Sequence, residues 1–381
     1  MSWSKIIAQE RVKSLLQRTI LENRIANSYC FWGNSGIGKD ALAIEFAKTA
    51  NCQNPIISAT MIEACNECSS CRLTNSLQHP NINFIFSLPT GKLSDTKKES
   101  AFASLSDEQL DIVNENLRAK AENPYHKISI PNANQIKITS VREVKRNLLL
   151  SQVQSGRRFV IVSNADEMTT EAANAFLKTL EEPHENTTII ITTSKRDAIL
   201  PTILSRCQQI QCSTLTDEEI ETALIERLDY PKNQAKLISA FAQGSFVKAM
   251  DFMDEDMQTM RESVIGILRA AVKKKNYRIE LLEKIDEASS IKDKKRLEIF
   301  LSLLMIWFRD VLSLIVTQTN KKVVNIDQIE VLNKFSSSYS DKNFNLIQEE
   351  IEKAIRRIRQ NVMPQLILLN MFLNIRKILI D

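Results

Sequence analysis

The stretch Phe31-Trp32-Gly33-Asn34-Ser35-Gly36-Ile37-Gly38-Lys39-Asp40 constrains this chain more than any other. Gly33, Gly38 and Lys39 meet the phosphate-loop pattern of Gly, four residues, Gly, Lys. Gly33, Gly36 and Gly38, with Ser35 between them, let the backbone curl until successive N–H groups face an anion. The positive end of the next helix lies behind the anion, and Lys39 reaches over the outer phosphates. Ser28 to Trp32 is short, apolar and aromatic, while Ala41, Leu42, Ala43, Phe46 and Ala47 continue as a helix. Strand, loop and helix therefore follow in the order that makes the motif credible. The next position breaks it. A Ser or Thr hydroxyl should hold Mg²⁺ there, and Asp40 takes its place. A carboxylate repels phosphate oxygens, or grips a metal in an altered geometry.

Strands and helices alternate from 28 to 212, which predicts a parallel α/β sheet covered on both faces, its ligand site at the carboxyl ends of the strands. Ile82–Leu88, Phe159–Val162, Thr188–Thr193 and Gln208–Cys212 read as further strands. Residues 89–131 turn polar and read as a surface insertion with an amphipathic helix over Asp107–Ala121. A helix capped by Thr139 or Ser140 runs to about Gln152. The strand over Phe159–Val162 ends in Ser163-Asn164, where a nucleotide hydrolase carries its acidic pair. Asp166 and Glu167 fall three residues late and read as the start of the next helix; a strand shifted by three residues would instead make them the catalytic pair.

Cys52, Cys65, Cys68 and Cys71 cluster in a polar loop over residues 52–71, the last three as CxxCxxC. Four thiolates close a tetrahedral shell and leave no open position, so a structural zinc is expected, with an iron–sulfur cluster as the competing reading. His79 is a candidate substitute for one sulfur, or a turn residue. At 381 residues the chain exceeds one ordinary domain, and 43% hydrophobic with 25% charged residues describes a globular protein. A net charge of +4 argues against a dedicated polyanion binder. The apolar run Leu297–Val316 carries Glu298, Arg309 and Asp310, which favours a buried helix over a membrane span. The N-terminus lacks the apolar core of a signal peptide, so a cytoplasmic location is expected.

The phosphate loop, the four cysteines, His79-Pro80-Asn81, the run from Asn174 to Pro183, Pro201-Thr202-Ile203-Leu204-Ser205-Arg206-Cys207 and Gly244-Ser245 together resemble the bacterial clamp-loader subunits of DNA polymerase III. The match spans nearly the whole chain. It implies an AAA+ phosphate-loop domain with a four-cysteine zinc module over 1–213, a small helical lid domain over 214–253, and an all-α collar domain over 254–381 through which five subunits assemble. It implies that Arg206 is offered in trans to ATP held by a neighbour, although an arginine in that place can also simply pair with a carboxylate. Thr193 matches the first sensor position, and Lys248 lies near the second. Asp40, Ser163 and Asn164 depart from the pattern, so ATP binding is doubtful and the resemblance implies a non-hydrolysing stator. It would assemble with gamma/tau and delta subunits in a hetero-pentamer and meet the sliding clamp and primer-template DNA through that complex. The alternative is an active gamma/tau-type ATPase.

Overall fold

The computed structural model describes residues 2–89, 101–149, 155–182, 184–253, 257–289, 294–360 and 363–380. The chain divides into two compact units, one formed by Met1–Ala235 with Ala242–Lys248, the other by Lys236–Phe241 with Ala249–Asp381.

In the first unit, α1 (Glu10–Leu21), β1 (Ser28–Trp32) and α2 (Lys39–Ala50) lead into a hairpin of β2 (Ile56–Ile57) and β3 (Ile62–Glu63), then α3 (Ser69–Asn75) and β4 (Ile82–Ile85). There follow α4 (Asp107–Glu122), α5 (Ile138–Leu149), β5 (Arg158–Val162), α6 (Thr170–Glu181), β6 (Thr187–Thr193), α7 (Pro201–Leu204) and β7 (Gln208–Gln211). The five longer strands form one parallel sheet in the order β4-β5-β6-β1-β7. Strands buried on both faces need continuous apolar runs, and β6 is buried at every residue. α2 is buried along nearly its whole length, with Phe46 packed edge-on against Tyr29 and Phe159. The order places β6 between β1 and β5. Side chains from all three strand tips can therefore meet at the start of α2.

Two expectations shift. Ile138 opens α5, so Thr139 and Ser140 lie inside its first turn instead of capping it, and the expected end near Gln152 lies outside the described residues. Asp166 and Glu167 form a separate 3-10 turn, Ala165–Glu167, before α6 is capped by Thr169. The segment from 101 to 131 is also more than a surface decoration. Ala101, Val113 and Ile130 bury themselves with Phe86 and Leu88 in a small core of their own beyond β4. Residues 90–100 of the expected insertion lie outside the described residues.

α8 (Asp217–Leu228), α9 (Lys232–Ala242) and α10 (Phe246–Met253) follow the sheet, then α11 (Met257–Val272), α12 (Tyr277–Ser289), α13 (Lys294–Thr317), α14 (Ile329–Ser338), α15 (Phe344–Arg359) and α16 (Pro364–Ile380). α13 is long and apolar enough to cross a bilayer, and most of that window is buried inside the protein. Its Trp307 packs edge-on against Phe335. Its buried Asp310 accepts hydrogen bonds from the backbone N–H groups of Val324 and Asn325 and from the Asn325 amide.

Candidate functional site

The phosphate loop leaves β1 and enters α2 through Gly38, whose φ of 94° is in the left-handed region that favours glycine. Ser35 is exposed at its tip. Lys39 is folded back on the loop, its Nζ donating to the carbonyls of Gly33 at 2.9 Å and Asn34 at 2.7 Å. Burial lowers its pKa from the usual lysine value.

Asp40 is the most heavily engaged residue of the site. Its Oδ1 accepts the Thr192 hydroxyl at 2.7 Å, and its Oδ2 accepts the Ser163 hydroxyl at 2.8 Å and the Lys120 ammonium at 3.3 Å. Burial pushes this carboxyl upward, but Lys120, the two hydroxyls and Lys39 together outweigh it and hold it below the usual carboxylate range. Three donors of the chain itself thus engage both carboxylate oxygens. Ser163, at the tip of β5, serves Asp40 instead of an ion, and Asn164 turns away with a left-handed backbone while its N–H donates to Thr192 Oγ1.

The late acidic pair is occupied elsewhere. Thr193 donates to Asp166 Oδ1 at 2.7 Å, and Ser87 donates to Glu167 Oε2 at 2.5 Å. Burial raises the Glu167 pKa. Thr193, fully buried at the end of β6, therefore addresses Asp166. Lys248 is exposed on α10, while the Phe246 N–H just before it donates to the Gly36 carbonyl at 3.0 Å. Arg206 lies exposed just past α7, with Nη2 donating to Glu181 Oε1 at 2.7 Å and Nη1 to the Thr202 carbonyl at 2.9 Å.

The four cysteine sulfurs gather within 4.8 Å of one another. Cys52 lies 3.5 Å from Cys65 and 3.6 Å from Cys71, and Cys65 lies 3.9 Å from Cys71. Ligands about 2.3 Å from one tetrahedral ion stand about 3.8 Å apart, so the donor set fits a metal of that kind. Backbone N–H groups of Cys65, Cys68 and Cys71 point at the preceding cysteine sulfurs. Burial pushes the Cys68 thiol up, but the N–H groups of Cys71 and Gln53 bring it down to about 6. His79 is not among these ligands. It is buried, with Nε2 3.0 Å from Ser70 Oγ and Nδ1 accepting the Asn81 N–H. The hydrogen bond from Asn81 makes Nδ1 the acceptor, so Nε2 carries the proton in the neutral ring.

Sequence reasoning missed the roles of Lys120, Thr192, Tyr125 and Glu181; Thr192 and Glu181 were named only as members of a strand and of the run from Asn174 to Pro183.

Residues 8–216 match the family model described as DNA polymerase III, delta subunit. The chain is 24% identical over 324 residues to DNA polymerase III subunit delta' of Bacillus subtilis, covering 84% of this chain and 83% of that protein. It is 25% identical over 256 residues to subunit tau of the same organism, covering 66% of this chain but only 37% of tau. A gamma-subunit-related DNA polymerase III protein of Thermotoga maritima is 18% identical, covers 96% of this chain and 98% of its own, and superimposes with a TM-score of 0.43, too loosely to carry an argument. With its parallel phosphate-loop sheet, its helical C-terminal region and a family match over more than half its length, the chain belongs to the DNA polymerase III delta-subunit family of AAA+ clamp-loader proteins.

Proposed function

We propose that the chain acts as a delta-prime-type, non-hydrolysing stator of the DNA polymerase III clamp loader. The observation that carries this reading is Asp40, whose carboxylate is taken by Ser163, Thr192 and Lys120. Phosphoryl transfer to water needs a metal on the outer phosphates and a carboxylate on the attacking water. The position that should hold the first carries a carboxylate already neutralised by the protein. The strand tip that should supply the second is Ser163-Asn164. The active gamma/tau alternative would need Asp166 and Glu167 as its acidic pair, and their hydrogen bonds to Thr193 and Ser87 speak against that.

In this reading the domains divide by role: 1–213 as the AAA+ domain, 214–253 as the lid and 254–381 as the collar. Arg206 is the working residue. It is exposed, and its charge is offered to ATP on a neighbouring gamma/tau subunit, where a guanidinium offsets charge building on the transferred phosphoryl group. The chain assembles with gamma/tau and delta subunits in a cytoplasmic hetero-pentamer and reaches the sliding clamp and primer-template DNA through it. Zinc on Cys52, Cys65, Cys68 and Cys71 is structural, because four sulfurs leave no position for substrate. The test is ATP turnover by the purified chain. The expected result is no turnover above background; turnover abolished by Lys39→Ala would reject the stator reading.

A further inference from the structure

The loop is covered by groups of its own chain: Cys212 lies against Gly33, Ser245 against Gly36, and Tyr125, from residues 101–131, against Gly38. A methyl group added at Gly38 would meet Tyr125 Oη at 2.8 Å and the Tyr125 ring at 2.9 Å. The ring is held there from several sides. Ile7 donates its backbone N–H to Tyr125 Oη at 2.7 Å, and Phe246 packs edge-on at 5.0 Å. Tyr125 is 3% exposed, as deeply placed as a core residue. Five residues earlier, Lys120 at the end of α4 is 4% exposed and divides its ammonium between Asp40 Oδ2 and the His126 carbonyl.

The segment is built to hold this position. Ser106 and Gln109 close a reciprocal capping box at the start of α4. Asn116 Oδ1 accepts the Ser129 N–H, and Asn123 Oδ1 accepts the Tyr125 N–H, which fixes the turn that presents the ring. The apolar cluster around Val113 and Ile130 anchors the whole segment beyond β4.

We propose that residues 101–131 are an internal occupant of the phosphate loop: Lys120 supplies the cation that Asp40 takes in place of a metal, and Tyr125 closes the space above Gly38, so that nucleoside triphosphate is excluded. This rests on the stator reading and adds a cause for it. The two side chains do different work. The Asp40–Lys120 pair carries no net charge, so it neither attracts nor strongly repels a triphosphate. Removing Lys120 would bare a carboxylate toward the phosphates. The barrier is therefore the ring. A tethered occupant competes at high effective concentration, and any nucleotide binds only to the fraction of molecules in which the ring has moved away.

The experiment titrates the full chain with magnesium and a fluorescent N-methylanthraniloyl ATP, reading anisotropy, with circular dichroism melts to verify folding. Wild type is expected to bind no tighter than the millimolar range. Tyr125→Ala is expected to bind at least about tenfold tighter. Lys120→Ala is expected to show no tightening. Tyr125→Leu, which keeps an apolar contact for Phe246, serves as a second opening variant with the same expectation. Micromolar binding by wild type, or a folded Tyr125 variant without tightening, overturns the proposal. Wild type that binds but does not turn over ATP would sink only the internal occupant, whereas binding with turnover would sink the stator reading as well.

Discussion

Glu181 Oε1 holds Arg206 Nη2 at 2.7 Å, in an ion pair whose side chains are 48% and 36% exposed. With Nη1 on the Thr202 carbonyl, the guanidinium is pinned between the end of α6 and the residues of α7. The carboxylate pairing that the residue type allowed is thus present, and it lies at the surface. An exposed pair of this kind contributes under about 1 kcal/mol, so a stronger anion can draw Arg206 away at small cost.

Arg206→Ala should leave assembly of the loader intact and slow ATP hydrolysis by the complex. At the site that loses its arginine the loss should approach about a thousandfold. Glu181→Ala should alter the melting temperature of the free chain little, because the pair is solvated. Hydrolysis rates of reconstituted complexes check the first point, and a thermal melt of the free Glu181→Ala chain checks the second. An unchanged rate with Arg206→Ala would remove the trans role.

The Asp40–Lys120 pair should behave as a coupled unit. Lys120→Met strands Asp40 among the Ser163 and Thr192 hydroxyls and should destabilise the first unit by about 2–3 kcal/mol, below the usual range for a buried pair because Asp40 keeps some access to water. Adding Asp40→Asn should recover part of that loss. Denaturant unfolding of the single and double variants measures the coupling, and strict additivity would show that the pair is not a unit.

Metal analysis of the purified chain should find about one zinc per molecule, retained through dialysis and lost in Cys68→Ser. Because the cluster joins residues from 52 to 71, chelation should also lower the thermal midpoint. A chain free of metal with an unchanged midpoint would rule out the structural role.

His79 should give the chain an acid-side weakness. Burial lowers its pKa below the ordinary histidine value, so the folded state prefers the neutral ring that bridges Ser70 and Asn81. Its contribution is complete above the unfolded value of about 6.5 and is lost as the pH falls from there through the lowered folded value. His79→Gln should flatten the part of the stability profile that lies below about pH 6.5. A profile identical to wild type would show that the ring does not titrate in this window.

The elements of the sheet were legible because buried parallel strands need unbroken apolar runs: Phe159–Val162 and Thr188–Thr193 announced themselves, and both strands extend one residue earlier. The cysteine spacing was equally direct, since the four sulfurs it groups do gather within 4.8 Å of one another. Asp40 and Ser163 could be named as departures, but not as partners. They are 123 positions apart, and only the strand order that places β6, with Thr192 near its tip, between β5 and the β1 that leads into α2 brings them to 2.8 Å.

What the sequence determined by itself was that Asp40 stands where the motif has a hydroxyl and that Ser163-Asn164 follows the apolar strand, because each is a matter of which functional group stands at a motif position. What the tertiary structure decided was which groups those residues meet. Lys120 and Tyr125 sit in a polar segment with no motif, and their placement over Gly38 and Asp40 comes from the small core that Val113 and Ile130 form beyond β4. Local chemistry can be read residue by residue. The pairing of a partly buried carboxylate with a lysine 80 positions away depends on long-range packing, which no local pattern encodes.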